Sequence, residues 1–416
     1  MNDYHPYDED DDRQDHHPVI NRSDEYDDDM RSTMATVSAV VNQVRSTDGQ
    51  SYRLNAADLH SLIDFMETLL RGSSLPYRHR RDGSVALLKM ADDIKRLPAY
   101  ARIHDPSLSY SPDLEFFFEW YRQHEISNYA HVDWTDEDGH GVDPRHSEMA
   151  IDFVATMLVE TRRVKLKKRI SDWKSNGKHN LAYLRRYLDN LFERYARLLF
   201  VDMVLEYRKT ACADVTEAIE RRDAMQGRAE REHEAFMNGT EHHEENPRWI
   251  SLVELKVDWE RLYGNMKGKR SIFKHLVGHV GRIEYSRDGG HHLHICFIFD
   301  GSEVHDHVGY SLKIAKYWKD VITEGRGYAF SCNLKAARGG YRNVGVGMID
   351  HYDTEKRKHL WTALSYFAKA TQLVRIKHAG KLKMFLHGKI KELTGPKRGR
   401  PRTRGVESAP GDSSKI

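Results

Sequence analysis

The chain has little with which to cross-link or anchor itself. Its 416 residues include three cysteines, Cys212, Cys296 and Cys332, an odd and widely spaced set. That argues against a disulfide framework and against a Cys-based zinc site. No apolar run approaches the roughly 18 residues of a membrane-spanning helix, so no membrane partner is expected. The chain opens on acids rather than on a basic and then apolar leader, so export is not expected and the reading is cytoplasmic. A GxxxxGK[ST] phosphate loop is also absent, which removes the usual means of coupling to ATP.

What is present is charge, unevenly placed. The formal net charge is only +2. Yet residues 1–30 hold twelve Asp/Glu against two Arg, and residues 375–404 hold eleven Lys/Arg against one Glu. Like-charge blocks of this kind stay solvated and often serve as interaction tails. A basic end attracts polyanions through counterion release. Hydrophobic residues at 39% and aromatics at 10% suit a globular protein with room for two or three domains.

Four segments are expected: an acidic tail over 1–35, a helical domain over 36–178, a mixed domain over 179–378 and a basic tail over 379–416. Within the second, 36–53 reads as a linker. From Asn55, a capping residue, Leu59, Leu62, Ile63, Met66, Leu69 and Leu70 share one helix face until Gly72. Helical patterns follow at Val85–Leu97 and at Pro112–Gln123, where Ser111 can cap and Pro112 fits the first turn. A long pattern covers Ser147–Ser175 and ends near Gly177, with Arg162, Arg163, Lys165, Lys167, Lys168 and Arg169 forming a basic face. Such a face is explained by solvation or by contact with DNA.

From about Asn180 the texture changes. A helix over Leu181–Tyr195 leads into the β-rich run Arg197–Tyr207. A charged helix over Val215–Met237 and a helix near Val257–Leu276 come next. His279–Ser286, the turn Arg287-Asp288-Gly289-Gly290 and His291–Phe299 then read as a hairpin. A helix over Val304–Ile322, a strand over Val344–His351 and a last helix, capped by Thr354 and running to about Leu373, complete the pattern. This order predicts an α+β fold: an antiparallel sheet with helices on one face, preceded by helices.

The hairpin carries the first candidate chemistry. In His292-Leu293-His294 the two imidazoles share a strand face while Leu293 points away. A tight hairpin sets Glu284, or a near neighbour, opposite His294. Two neutral imidazoles and one carboxylate can hold a divalent metal with positions left open, which suits Lewis-acid work on a phosphate. With 25 histidines, chance alone supplies about 0.6 such triplets, and His305-Asp306-His307 shows how readily they arise. Surface histidines are therefore the plain alternative. Tyr366-Phe367-Ala368-Lys369 supplies context, because a phenol and an ammonium three residues apart lie on one helix face. A phenol with a pKa of about 10 is a weak nucleophile, and a metal plus a nearby cation would each lower the barrier to its attack. A packing tyrosine beside a surface lysine is the bland alternative. Tyr310-Ser311-Leu312-Lys313 has the same spacing; Tyr366 is preferred because it follows the strand after the hairpin.

Taken together, Arg197–Tyr207, Gly281–Tyr285, His292–His294 running into Phe297–Gly301, Lys316–Gly327, Gly345–Asp350 and Ala363–Lys369 resemble a known family. It is that of the inovirus gene-2-type replication proteins, also called the YagK/YfjJ C-terminal domain family of bacterial prophages, which is similar to the HUH endonucleases. The resemblance covers residues from about 195 to 375. It implies an HUH-like sheet, and Glu284, His292 and His294 as ligands of Mg²⁺ or Mn²⁺. It further implies Tyr366 as the nucleophile and Lys369 as its assistant. The implied activity is nicking and closing of single-stranded or extruded origin DNA through a 5′-phosphotyrosine. The implied setting is rolling-circle replication in a bacterial cell, with host helicase and replication proteins as partners. No second tyrosine lies one helical turn from Tyr366, unlike in the two-tyrosine initiators. Two other readings remain: a DNA-binding regulator or accessory replication protein that kept the fold but not the activity, and a metal-dependent hydrolase using water.

Finally, Lys397-Arg398-Gly399-Arg400-Pro401-Arg402 resembles an AT-hook. Its arginines suit a narrow electronegative minor groove, and the glycine lets the backbone approach. A basic tail holding DNA nonspecifically explains Lys397, Arg398, Arg400 and Arg402 equally well.

Overall fold

The structure is a computed structural model that describes residues 43–45, 51–53, 57–72, 75–106, 108–129, 142–240, 242, 246–369, 374–376 and 383–392. The basic segment 397–402, the capping residue Asn55 and the acidic tail lie outside the described residues.

Among these residues the fold is α+β, with eleven α-helices and a six-stranded antiparallel sheet. The sheet strands are β1 (Arg197–Tyr207), β2 (Leu276–Ser286), β3 (Gly290–Asp300), β4 (Gly327–Ser331), β5 (Gly347–Asp350) and β6 (Phe385–His387). They run in the order β5-β1-β3-β2-β6, and β4 shares the β5 edge of β1. Three short two-stranded pairs lie elsewhere, one of them Gln43–Arg45 with Ser51–Arg53, inside the expected linker.

Helices cover both faces of the sheet rather than one. In Leu198-Leu199-Phe200-Val201, successive side chains point to opposite faces and all are apolar, so both faces need cover. Leu199, Val201, Leu293, Ile295, Phe297 and Phe299 pack with three helices, α7 (Leu252–Gly268), α8 (Arg270–Phe273) and α9 (His307–Tyr317). Leu198, Phe200, Cys296 and Ile298 pack on the other side with α5 (Leu166–Arg194) and α11 (Thr354–Lys369). That second core continues into α1 (Ala57–Arg71), α2 (Ala91–Ala101), α3 (Pro112–Gln123) and α4 (Pro144–Arg163).

The single helix expected over Ser147–Ser175 is two. Lys165 adopts φ 53°, a left-handed conformation that ends α4, and α5 begins at once. α5 then runs straight through Gly177. A mid-helix glycine costs about 1 kcal/mol, which burial of Leu184, Tyr187, Leu188 and Leu191 offsets. The expected boundary at 178 therefore falls inside a continuous helix. Similarly, Val85–Leu87 is a strand and the helix starts only at Ala91.

The β2–β3 hairpin turns through three residues, Arg287-Asp288-Gly289, before Ser286 pairs with Gly290. Gly290 has φ +72°, and a Cβ there would meet Ile250 O at 2.7 Å. Three surrounding elements hold this tip. Arg287 Nε donates to Asp105 Oδ2 at 2.6 Å, and Asn246 Nδ2 and Trp249 Nε1 each donate to a turn carbonyl at 2.8 Å. Arg221, on α6 (Val215–Met237), meets Asp288 at 3.3 Å. Asp105 and Arg287 are both buried against water, so removing one leaves the other uncompensated. Asp105→Ala should cost about 3–5 kcal/mol in urea denaturation, whereas Asp172→Ala, at an exposed pair with Lys168, should cost under about 1 kcal/mol. Equal losses would show that the hairpin tip is not anchored by this pair.

Candidate functional site

The register of the sheet brings the predicted hairpin residues to one face. Glu284 lies opposite His292 and Arg282 lies opposite His294, because the turn has three residues. The expected pairing of Glu284 with His294 is thus displaced by two residues, which leaves both on the same face. β1 adds to this face from the other side, since Val204 pairs with His294 and Asp202 with Cys296. Asp202 and Glu206, four apart on β1, share the face with the histidines.

These groups form a chain across three strands. Nε2 of His292 is 3.3 Å from Glu284 Oε2, which is 3.8 Å from Nδ1 of His294. On the far side of the same ring, Nε2 of His294 is 3.2 Å from Asp202 Oδ1. Glu284 and His292 are each only 4% exposed. Both Glu284 oxygens and Nε2 of His292 are buried without a hydrogen bond of good geometry, the imidazoles being held to the carboxylate mainly by charge. Buried polar atoms are rarely left so, and carboxylate oxygens and imidazole nitrogens are atoms that a divalent cation can take as ligands.

Electrostatics follow from this arrangement. Burial alone would raise the Glu284 carboxyl, but the His292 and His294 imidazoles outweigh it and hold it well below the usual carboxylate range. Burial works against charge on His294, yet Asp202, joined by Cys332 and Glu284, holds this ring well above an ordinary imidazole. A metal on this ring would compete with a proton for the nitrogen lone pair.

A second donor set meets at the same ring. Asp202, His294 and Cys332, the last at the start of α10 (Cys332–Ala337), offer ligand atoms within 4.8 Å of one another and could hold a metal ion. Sequence reasoning missed Asp202, Glu206 and Cys332. The signal for the first two was there, as carboxylates at even spacing in an otherwise apolar strand; Cys332 gave none.

α11 lies over this face. Phe367 meets His294 edge-on at 4.7 Å, and its carbonyl accepts from Arg282 at 3.2 Å. Burial pushes the Arg282 guanidinium down, while Tyr366 and Glu284, the acidic groups near it, act the other way. Tyr366 thus belongs to the histidine face, but it is only 8% exposed and is part of the core beneath α11. The nucleophile expected from the sequence is not presented to solvent here. Lys369 is buried as well. The alternative, Tyr310, packs on Phe299 at 4.9 Å, on the opposite face of the sheet from the histidines. Of the other histidine pair, His307 is taken up by Asn333 at 3.1 Å.

Comparison of the chain with protein-family models, with curated proteins and with solved structures finds no match.

Burial lowers the Lys369 ammonium from 10.5 to about 8. The unfolded chain therefore binds the extra proton between these values, and stability rises with pH across that window and is lost as pH falls through it. In chemical denaturation at pH 8 to 10.5, wild type should gain stability relative to Lys369→Met. Parallel curves would show that Lys369 is solvated.

Proposed function

We propose that this chain is a metal-dependent nicking-closing enzyme that cuts and rejoins single-stranded DNA through Tyr366, as in the HUH-type initiation of rolling-circle replication. The observation that carries this reading is the Glu284–His292–His294 set, in which Glu284 and His292 are buried with donor atoms that make no hydrogen bond of good geometry. These three residues would hold Mg²⁺ or Mn²⁺, and the ion would supply Lewis-acid polarisation of the scissile phosphate. Asp202 accepts from the far nitrogen of His294, the kind of outer contact that orients a ligating imidazole.

The remaining chemistry belongs to the chain. Tyr366 Oη bonds to phosphorus as the bond from phosphorus to the 3′ oxygen breaks. The phenol loses its proton and the departing 3′ oxygen gains one, so the bond energy is kept in a 5′-phosphotyrosine. Arg282 lies near enough to Tyr366 to stabilise negative charge on the phenol oxygen. Lys369, one turn along α11, adds a second nitrogen that titrates near neutrality. Later attack by a 3′ hydroxyl on the phosphotyrosine reverses the step and closes the strand.

Substrate entry sets a condition. With Tyr366 at 8% exposure, the C-terminal part of α11 must lift from the sheet before a strand can lie across it. The same burial favours the second reading, a DNA-binding regulator or accessory replication protein without cutting activity.

One experiment separates them. Protein is incubated with a labelled random pool of single-stranded DNA and Mn²⁺, and covalent adducts are resolved on a denaturing gel. Wild type should give an adduct that Tyr366→Phe abolishes and that chelation prevents, while DNA binding persists in both. An adduct that survives Tyr366→Phe, or that forms without divalent metal, refutes the assignment; binding without any adduct selects the regulator.

A further inference from the structure

His294 faces different chemistry on its two sides. Nδ1 looks toward Glu284 and His292, a set of carboxylate and imidazole donors. Nε2 looks toward Asp202, and Cys332 adds a thiol to this set, the three residues offering ligand atoms within 4.8 Å of one another. Asp202 has its Oδ1 buried without a hydrogen bond, although it lies 3.2 Å from the ring nitrogen. A Cys-His-Asp triplet is a poor match to Mg²⁺, which takes oxygen ligands, and a good match to a borderline ion such as Zn²⁺ or Co²⁺. Tetrahedral Zn²⁺ places its ligand atoms roughly 3.3–3.8 Å apart, given bonds of about 2.0–2.3 Å. The three donors are already within 4.8 Å of one another, so modest side-chain rotation closes the set and leaves a fourth position for water.

We infer that Asp202, His294 and Cys332 form a second metal site, selective for Zn²⁺-like ions. Occupation of this site disables the Glu284–His292–His294 site. The exclusion follows from the ring itself. A neutral imidazole has one nitrogen with a lone pair in the ring plane and one N–H. A metal on Nε2 fixes the proton on Nδ1, so His294 then offers Glu284 a donor instead of offering a hard cation a ligand. On binding, the Cys332 thiol gives up its proton to solvent and a metal–thiolate bond forms. The exclusion rests on the proposed function, whereas the Cys-containing site does not.

Co²⁺ titration of the full chain, kept reduced with a phosphine, tests the site without DNA. Wild type should develop a near-ultraviolet thiolate-to-cobalt charge-transfer band. Cys332→Ser and Cys332→Ala should lose it, Asp202→Asn should weaken cobalt binding at least about tenfold, and Glu284→Gln should retain it. Wild-type melting temperatures show that each variant is folded. Absence of the band in wild type, its survival in either folded Cys332 variant, or its loss in folded Glu284→Gln overturns the site. Exclusion is read separately by the electron paramagnetic resonance of Mn²⁺: Zn²⁺ should release bound Mn²⁺ from wild type at concentrations that fail to do so in Cys332→Ser. Equal release from both overturns the exclusion. A cobalt band in a protein that never binds Mn²⁺ leaves the second site standing while removing the hard-metal reading.

Discussion

Four ionisable side chains, His292, Glu284, His294 and Asp202, neighbour one another in turn across three strands, with Glu284 and His292 shut off from water. Taking a carboxylate out of water costs several kcal/mol unless it is paired. Two carboxylates alternating with two imidazoles meet that requirement only while their spacing is held. A slip of one residue between β2 and β3 would send Glu284 to the opposite, apolar face. The register is therefore the constraint on which the rest of the structure depends.

The surroundings act on that register from both ends. At the hairpin tip, Asp105, Arg221, Asn246 and Trp249 hold a three-residue turn, so segments outside the sheet help to fix the position of groups within it. At the other end of the face, Leu198, Phe200, Cys296 and Ile298 form an apolar core under α5. One sheet surface is thus divided between packing and polar chemistry. The packed half has rigidity to lend, because apolar interiors are close-packed and scarcely compressible.

α11 joins the two halves. Its Leu360 and Leu364 belong to the core, while Phe367 rests on His294 and Arg282 donates to the Phe367 carbonyl. Burying Lys369 and Arg282 works against stability, as their depressed basicity shows. Groups held at such a cost are found more often at functional sites than elsewhere. The same packing closes the face, so one helix governs access to it.

Several of these features were legible in the sequence. The 2.0 period of a strand put His292 and His294 on one face, the Asp-Gly-Gly turn marked the hairpin, and the 3.6 period put Tyr366 and Lys369 on one helix face. Such local regularities need no knowledge of distant partners. Tertiary structure decided the rest. Whether Glu284 lies opposite His292 or His294 depended on a turn of three residues, and α5 passed through Gly177 because a long apolar stripe had a core to join. Asp202 became a neighbour of His294 only through pairing across 92 residues of chain, and Cys332 came to the same ring from a later helix. Tyr366 was visible as a residue type but not as a buried one. Periodicity tells which way a side chain points, and only packing tells what it points at.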